Sequence, residues 1–146
     1  MEPCDLDAVA ALERAVFTDP WSRRSFEEIL ALGHVRGLVL DAAGSLAGYA
    51  ICSAVAGEGE VLNLAVAPAA RRRGVGRALL DAALGWLAAE GVLTTFLEVR
   101  RSNEAAIELY RAAGFATLGV RPNYYRRPTE DAVTMALDMA LKDARK

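Results

Sequence analysis

Histidine is almost absent from this chain. His34 is the only one, and no cysteine or carboxylate accompanies it at ligand spacing, which argues against a structural or catalytic metal. Cysteine is nearly as scarce. Cys4 and Cys52 have no framework spacing, and no secretory signal pattern precedes the first polar residues, so two reduced thiols in a cytoplasmic protein are expected. No apolar run is long enough for a membrane span. An excess of one charge is missing too: 17 basic residues face 19 acidic ones, a net charge of −2. That balance argues against direct nucleic-acid binding, which needs a basic surface, while leaving a basic peptide open as substrate. Linkers, repeats and low-complexity tracts are absent. With 146 residues, 53% of them hydrophobic and 25% charged, the chain reads as one domain, residues 1–146, able to bury a continuous core.

The periodicities present are those of alternating helices and strands. Asp5 to Phe17 carries Leu6, Val9, Leu12, Ala15 and Val16 on one stripe and reads as a helix. Asp19-Pro20-Trp21-Ser22 breaks it, and Ser22 or Arg23 opens a second helix. His34 to Leu40 and Leu46 to Ala54 form a hairpin, and Glu60 to Ala67 is a third strand. A helix to about Glu90 follows, with Val75, Leu79, Ala82, Ala83, Trp86 and Leu87 on its buried face. Leu93 to Arg100 is a central strand. Asn103 caps a helix over Glu104 to Ala113, and Phe115 to Val120 and Ala132 to Asp138 are the last strands, with Asn123, Tyr124 and Tyr125 between them. The order α-α-β-β-β-α-β-α-β-β predicts an α+β fold, with helices layered on a mixed sheet.

The stretch from Leu62 to Leu80 carries the first chemical signal. A strand ends at Pro68, and Arg71, Arg72, Arg73, Gly74, Val75, Gly76 and Arg77 lead into a helix. Unpaired N–H groups at a helix start, at the positive end of its dipole and beside arginines, suit a pyrophosphate. A solvated basic helix start with ordinary glycines is the plain alternative. A nucleoside-triphosphate loop needs Gly-Lys-Ser/Thr, which is absent. A dinucleotide fingerprint needs a third glycine where Leu79 stands, although Glu98 lies where a ribose-binding acid sits in that motif.

Coenzyme A is the third candidate, and here the residues resemble a known family. Arg71, Gly74 and Gly76 are spaced as in the pyrophosphate loop of the GNAT superfamily of N-acetyltransferases. Asp19-Pro20-Trp21-Ser22, Leu62 to Val66, Leu97 to Arg100, Ser102 to Ile107, Leu109-Tyr110, Gly114-Phe115 and Asn123-Tyr124-Tyr125 resemble the RimI-type ribosomal-protein alanine N-acetyltransferases. The resemblance implies a mixed central sheet with helices on both faces. The first strand of that fold is short or missing here, since only Met1 to Cys4 precede the first helix.

Acyl transfer from a thioester needs a neutral amine and a protonated leaving thiolate. A free α-amine ionises at about 7.7–8.0, so a nearby carboxylate is needed as base. Glu98 is the candidate, on the strand face shared with Phe96 and Arg100; its alternative is an ion pair with Arg100 or Arg101. Tyr110 is the candidate acid, since a phenol is protonated at neutral pH. By spacing alone it reads as a core tyrosine of the helix after Asn103. The resemblance implies that residues matching Glu98 and Tyr110 act as base and acid. It also implies that Leu64, Ala65 and Val66 offer backbone groups to the acetyl-pantetheine arm. Arg72 to Arg77 wrap the pyrophosphate, and Asn103 contacts the cofactor as well as capping its helix. Two diverging parallel strands, ending at Ala67 and Arg100, make the cleft. Trp21, Phe26, Tyr124 and Tyr125 read either as packing or as a peptide groove.

These readings predict a monomeric or weakly dimeric cytoplasmic enzyme using acetyl-CoA. The acceptor that the resemblance implies is the N-terminal amine, on alanine, of the eighteenth protein of the small ribosomal subunit. Lysine side chains, small-molecule amines and a non-catalytic CoA-binding module are the alternatives.

Overall fold

In the computed structural model, which describes residues 1–144, a single turn at Pro3–Asp5 leads into helix α1, Leu6–Val16. Helix α2, Arg23–Leu30, is opened by Ser22, whose hydroxyl accepts from the Ser25 N–H at 3.0 Å. Strands β1 (Val35–Ala42), β2 (Ser45–Val55) and β3 (Glu58–Val66) form an antiparallel meander. Helix α3, Val75–Ala89, crosses over to β4, Thr94–Arg100, which runs parallel to β3. Helix α4 (Glu104–Ala112), strands β5 (Ala116–Tyr125) and β6 (Glu130–Asp138) and a short helix α5 (Met139–Ala144) complete the described residues. The strands join one sheet in the order β1-β2-β3-β4-β6-β5.

Alternation along the strands decides which helix each face receives. Tyr49, Ile51 and Ala65 pack under α1 and α2 with Leu6, Val9, Leu12 and Phe26. Cys52, Val61, Leu97, Val99 and Met135 face the other way, onto Leu80, Leu84 and Leu87 of α3 and Ile107 and Tyr110 of α4. Helices therefore cover both faces. At Gly48 of β2 a Cβ would lie 2.7 Å from the Ala65 carbonyl oxygen and 2.8 Å from a Leu79 methyl, so α3 sits as close to β2 as glycine permits.

No strand precedes α1. The Met1 amine instead donates to the Gly37 carbonyl oxygen at 3.0 Å, at the edge of β1. Three details depart from the sequence reading. β5 continues through Asn123, Tyr124 and Tyr125, because its register against β6 shifts between Arg121 and Tyr125 and absorbs the extra residues. Asn123 takes φ 53° there, a conformation asparagine tolerates better than most residues. On α3, Leu80 and Leu84 are buried while Ala82 is exposed, so the apolar stripe is rotated from the expected one. Helix α5 was not expected. Cys4 is exposed and Cys52 buried, both as free thiols, and burial pushes the Cys52 thiol up to about 12.

One irregularity governs the centre of the sheet. Ile51 pairs with Asn63 and Cys52 with Val61, so Leu62 is an extra residue, a bulge in β3. Parallel pairing with β4 runs from Glu58–Thr94 to Val61–Leu97 and stops there. The bulge also resets the alternation. Val61 and Leu64 face α3 and α4, whereas Leu62, Asn63 and Ala65 face α1.

Leu84 is fully buried in the α3 face, away from the strand divergence. Leu84→Ala should cost about 2–5 kcal/mol in urea unfolding, through lost transfer energy and the cavity left behind.

Candidate active site

Where β3 and β4 part, a cleft of about 940 Å³ opens, with Glu98, Tyr110 and Asn103 on its wall beside residues of α1, the α1–α2 loop and β5. It reaches through the sheet. Glu98 lies on the face of β4 that looks toward α1, opposite to Leu97 and Val99. Tyr110 lies on α4, across the sheet.

Glu98 is mostly buried, with 19% of its side chain exposed, and Arg121 of β5 donates to its Oε1 at 2.5 Å. The ion partner is thus Arg121. Arg100 and Arg101, the partners considered from sequence, are engaged elsewhere: Arg100 with Glu130 at 3.3 Å and Arg101 with Asp131 at 3.5 Å. The Arg121 guanidinium also lies 4.9 Å over the Tyr124 ring. Glu60 of β3 stands on the other side. Partial desolvation, and then the neighbouring Glu98 carboxylate, push the Glu60 carboxyl up.

Tyr110 is 7% exposed, and its ring meets Phe115 at 5.8 Å. Burial pushes its phenol up to about 12, so it carries its proton throughout the neutral range. Asn103 caps α4 by accepting from the Ala106 N–H at 3.2 Å, with the cleft beside it. Its neighbour Ser102 donates its N–H to Glu130 at 2.6 Å, and Glu130 is the carboxylate that holds Arg100. Arg100 in turn lies 4.5 Å over the Tyr125 ring.

The loop before α3 is built as a helix start. Gly74 is the N-cap with φ 78°, a left-handed conformation, and beyond its own chain neighbours no heavy atom lies within 4 Å of where its Cβ would be. Arg71, Arg72, Arg73 and Arg77 are exposed around it, with Arg71 reaching the cleft and Arg77 bonded to Asp81 at 3.1 Å. Val75 lies on the buried face of α3, as the helical spacing predicts. Its side chain is buried with Ala47, Ala50 and Leu79, leaving only its main chain to the loop. Leu64, Ala65 and Val66 pair with β2 on one side, through Ala50, Tyr49 and Gly48, and lie past the end of pairing with β4 on the other. Ala65's own side chain is buried, so its contribution to the cleft is backbone.

Sequence reasoning passed over four residues that the fold brings here: Glu13, Glu60, Asn63 and Arg121. Glu13 had a visible signal. Leu6, Val9, Glu13 and Val16 follow helical spacing, so a carboxylate stands on the apolar stripe of α1, in place of the expected Ala15. Of the aromatic residues left open, Phe26 belongs to the core, while Trp21, Tyr124 and Tyr125 line the cleft.

The family described as acetyltransferase (GNAT) matches residues 6–115. The chain belongs to that family. It is 39% identical over 97% of its length, and 96% of the relative's, to the ribosomal-protein bS18 alanine N-acetyltransferase of Escherichia coli. It is 40% identical to the N-alpha-acetyltransferase RimI of Mycobacterium tuberculosis, over 92% of this chain and 87% of that one. Among solved structures, the ribosomal-protein alanine N-acetyltransferase of E. coli superposes with a TM-score of 0.87 at 38% identity, covering 95% of this chain and 90% of the other. Ard1 of Thermoplasma volcanium gives the same TM-score, 0.87, at 30% identity, over 94% and 93%.

This chain is accordingly an acetyl-CoA-dependent N-acetyltransferase of the GNAT fold. The cleft has an edge of strand backbone beyond the end of pairing, and Arg71 on its wall leads to the glycine-opened helix start; such groups are chemically suited to amides and phosphates. Gly74→Val keeps open space around the side chain but strains a positive φ, at a cost of about 1–3 kcal/mol. If the strain falls on the bound loop geometry, acetyl-CoA affinity should weaken by roughly 5–150-fold in calorimetry. Where the free loop keeps φ 78° the stability in urea should fall as well, by no more than about 1–3 kcal/mol.

Proposed function

We propose that the chain works as one domain in the cytoplasm, moving an acetyl group from acetyl-CoA to the N-terminal amine of a small-subunit ribosomal protein, with alanine as the first residue. The observation that carries this reading is a cleft open through the sheet, with a carboxylate on one face and a protonated phenol on the other. The acceptor comes from the relatives, named for acetylating the alanine of a ribosomal protein. Acetyl-CoA supplies the electrophilic thioester. Backbone groups of Leu64, Ala65 and Val66 hold its arm, and the loop from Arg71 to Arg77 holds its phosphates, with Asn103 near the thiol end.

Glu98 takes the proton that the amine loses as the C–N bond forms. Tyr110 gives its hydroxyl proton to the sulfur as the C–S bond breaks. Arg121, itself largely exposed, holds Glu98 in place from β5. Trp21, Tyr124 and Tyr125 border the entry on the Glu98 side and receive the acceptor chain. Mass spectrometry of three peptides tests the acceptor: one with free N-terminal alanine, its N-blocked form, and an N-blocked peptide containing lysine. Acetylation of the first alone supports the reading, and modification of the blocked lysine peptide overturns it.

Glu98→Gln should lower turnover and flatten the rise of rate with pH while leaving acetyl-CoA binding nearly unchanged, because a proton acceptor is lost and a cofactor contact is not. An unaltered pH–rate profile in that variant would reduce Glu98 to an ion-pair residue. Tyr110→Phe keeps the ring and its packing and removes one proton, so single-turnover rates should fall by about 10²–10⁴-fold. The acid form of Tyr110 persists below the value of about 12 to which burial pushes it. The wild-type profile should therefore rise with amine deprotonation and show no falling limb from this group until the pH nears that value.

A further inference from the structure

Glu13 takes no part in the chemistry above, yet it is the most heavily bonded carboxylate at the cleft. It is 2% exposed, and it lies on α1 at the cleft's inner wall. Its Oε2 accepts from the backbone N–H of Trp21 at 2.8 Å. Its Oε1 accepts from the Asn63 amide at 2.7 Å and from the Tyr49 hydroxyl. Each donor belongs to a different part of the site. Trp21 lies in the α1–α2 loop that borders the acceptor entrance, Asn63 follows the bulge residue of β3, and Tyr49 is a fully buried brace from β2.

The bulge is what makes the second bond possible. In an uninterrupted strand Asn63 would share its face with Val61 and point into the apolar layer under α3. With Leu62 inserted, Asn63 turns toward α1 and meets Glu13. A burial this deep is costly for a carboxylate unless its oxygens are bonded, and here three donors bond them.

We propose that Glu13 is a positioning residue for acetyl transfer. It ties the acceptor-side loop to the bulged segment of β3 and so sets the distance between the attacking amine and the strand that holds the thioester arm. This inference rests on the acceptor and cofactor placement proposed above. The two ties can be cut separately. In Glu13→Gln the amide oxygen still serves Asn63 and Tyr49, while the amide nitrogen faces the Trp21 N–H, donor against donor. Asn63→Leu leaves the Trp21 tie and removes the one to β3.

The experiment compares both variants with Leu84→Ala, a core substitution away from the cleft, at a temperature where all are folded. Glu13→Gln should speed amide hydrogen exchange over residues 17–22 by about tenfold, the loss of one charge-assisted bond. KM for a peptide beginning in alanine should rise by about the same factor, with the acetyl-CoA Kd within about twofold. Alanine amide, too short to reach the loop, should be acetylated as by the wild type. Asn63→Leu should lower kcat for peptide and alanine amide alike. An unchanged exchange rate over 17–22, or a peptide KM that shifts equally in Leu84→Ala, would overturn the proposal. If Glu13→Gln does not fold, Asn63→Leu decides: a loss of stability with kcat unchanged for both acceptors would reduce the network to packing. Failure of the wild type to modify the alanine peptide would remove the proposed acceptor. It would not touch the exchange result, which needs no turnover.

Discussion

The site depends on one interruption of hydrogen bonding. β3 and β4 are parallel neighbours through Val61 and Leu97, and one extra residue at Leu62 ends the pairing. A sheet whose central strands stayed paired would be a wall between the α1–α2 layer and the α3–α4 layer. By parting, these strands leave backbone groups of Leu64 to Val66 without a strand partner on one side and let groups from opposite faces meet in one cleft. Unpaired backbone in a protein interior is costly unless something bonds it, so this edge is suited to a ligand that carries amides of its own.

Around that opening, charge is arranged by sheet position. Glu98 sits between Arg121 from β5, which bonds it, and Glu60 from β3, whose own carboxyl is pushed up by burial and by Glu98. Arg100, one pleat further along β4, is withdrawn from Glu98. It bonds Glu130 and the carbonyl oxygens of Pro128 and Arg126, and it stacks on Tyr125. Glu130 then fixes the Ser102 N–H just ahead of α4, and so the helix that carries Tyr110. The placements of Glu98 and Tyr110 are thereby coupled through β6, which pairs with β4 along its whole length.

Much of this was legible in the residues. Helices and strands followed from periodicity and caps, with Ser22 and Asn103 capping as their sequence positions imply. The glycine-opened helix start was legible too, since Gly74 adopts a φ that few other residues accept. The parting of two parallel strands was also expected. The misses share one cause: they depend on which neighbour lies across a strand. Arg121 as the partner of Glu98, Asn63 turned toward α1 by the bulge, and β5 prolonged through its paired tyrosines are products of register. Alternation within one strand cannot reveal register, because it shows which face a side chain takes and not what it meets there.

By itself, then, the sequence determined the element order from α1 to β6, the helix-start loop, and the residue types available for acid and base. These are local properties, set by side-chain spacing, capping and backbone preference within a few residues. Only the tertiary structure decided that Glu98 faces Arg121, that burial holds the Tyr110 proton to about 12, and that Glu13 joins the α1–α2 loop to β3. Those outcomes depend on desolvation and on contacts between residues such as Glu13 and Asn63 that lie 50 positions apart, and both arise only when the layers close.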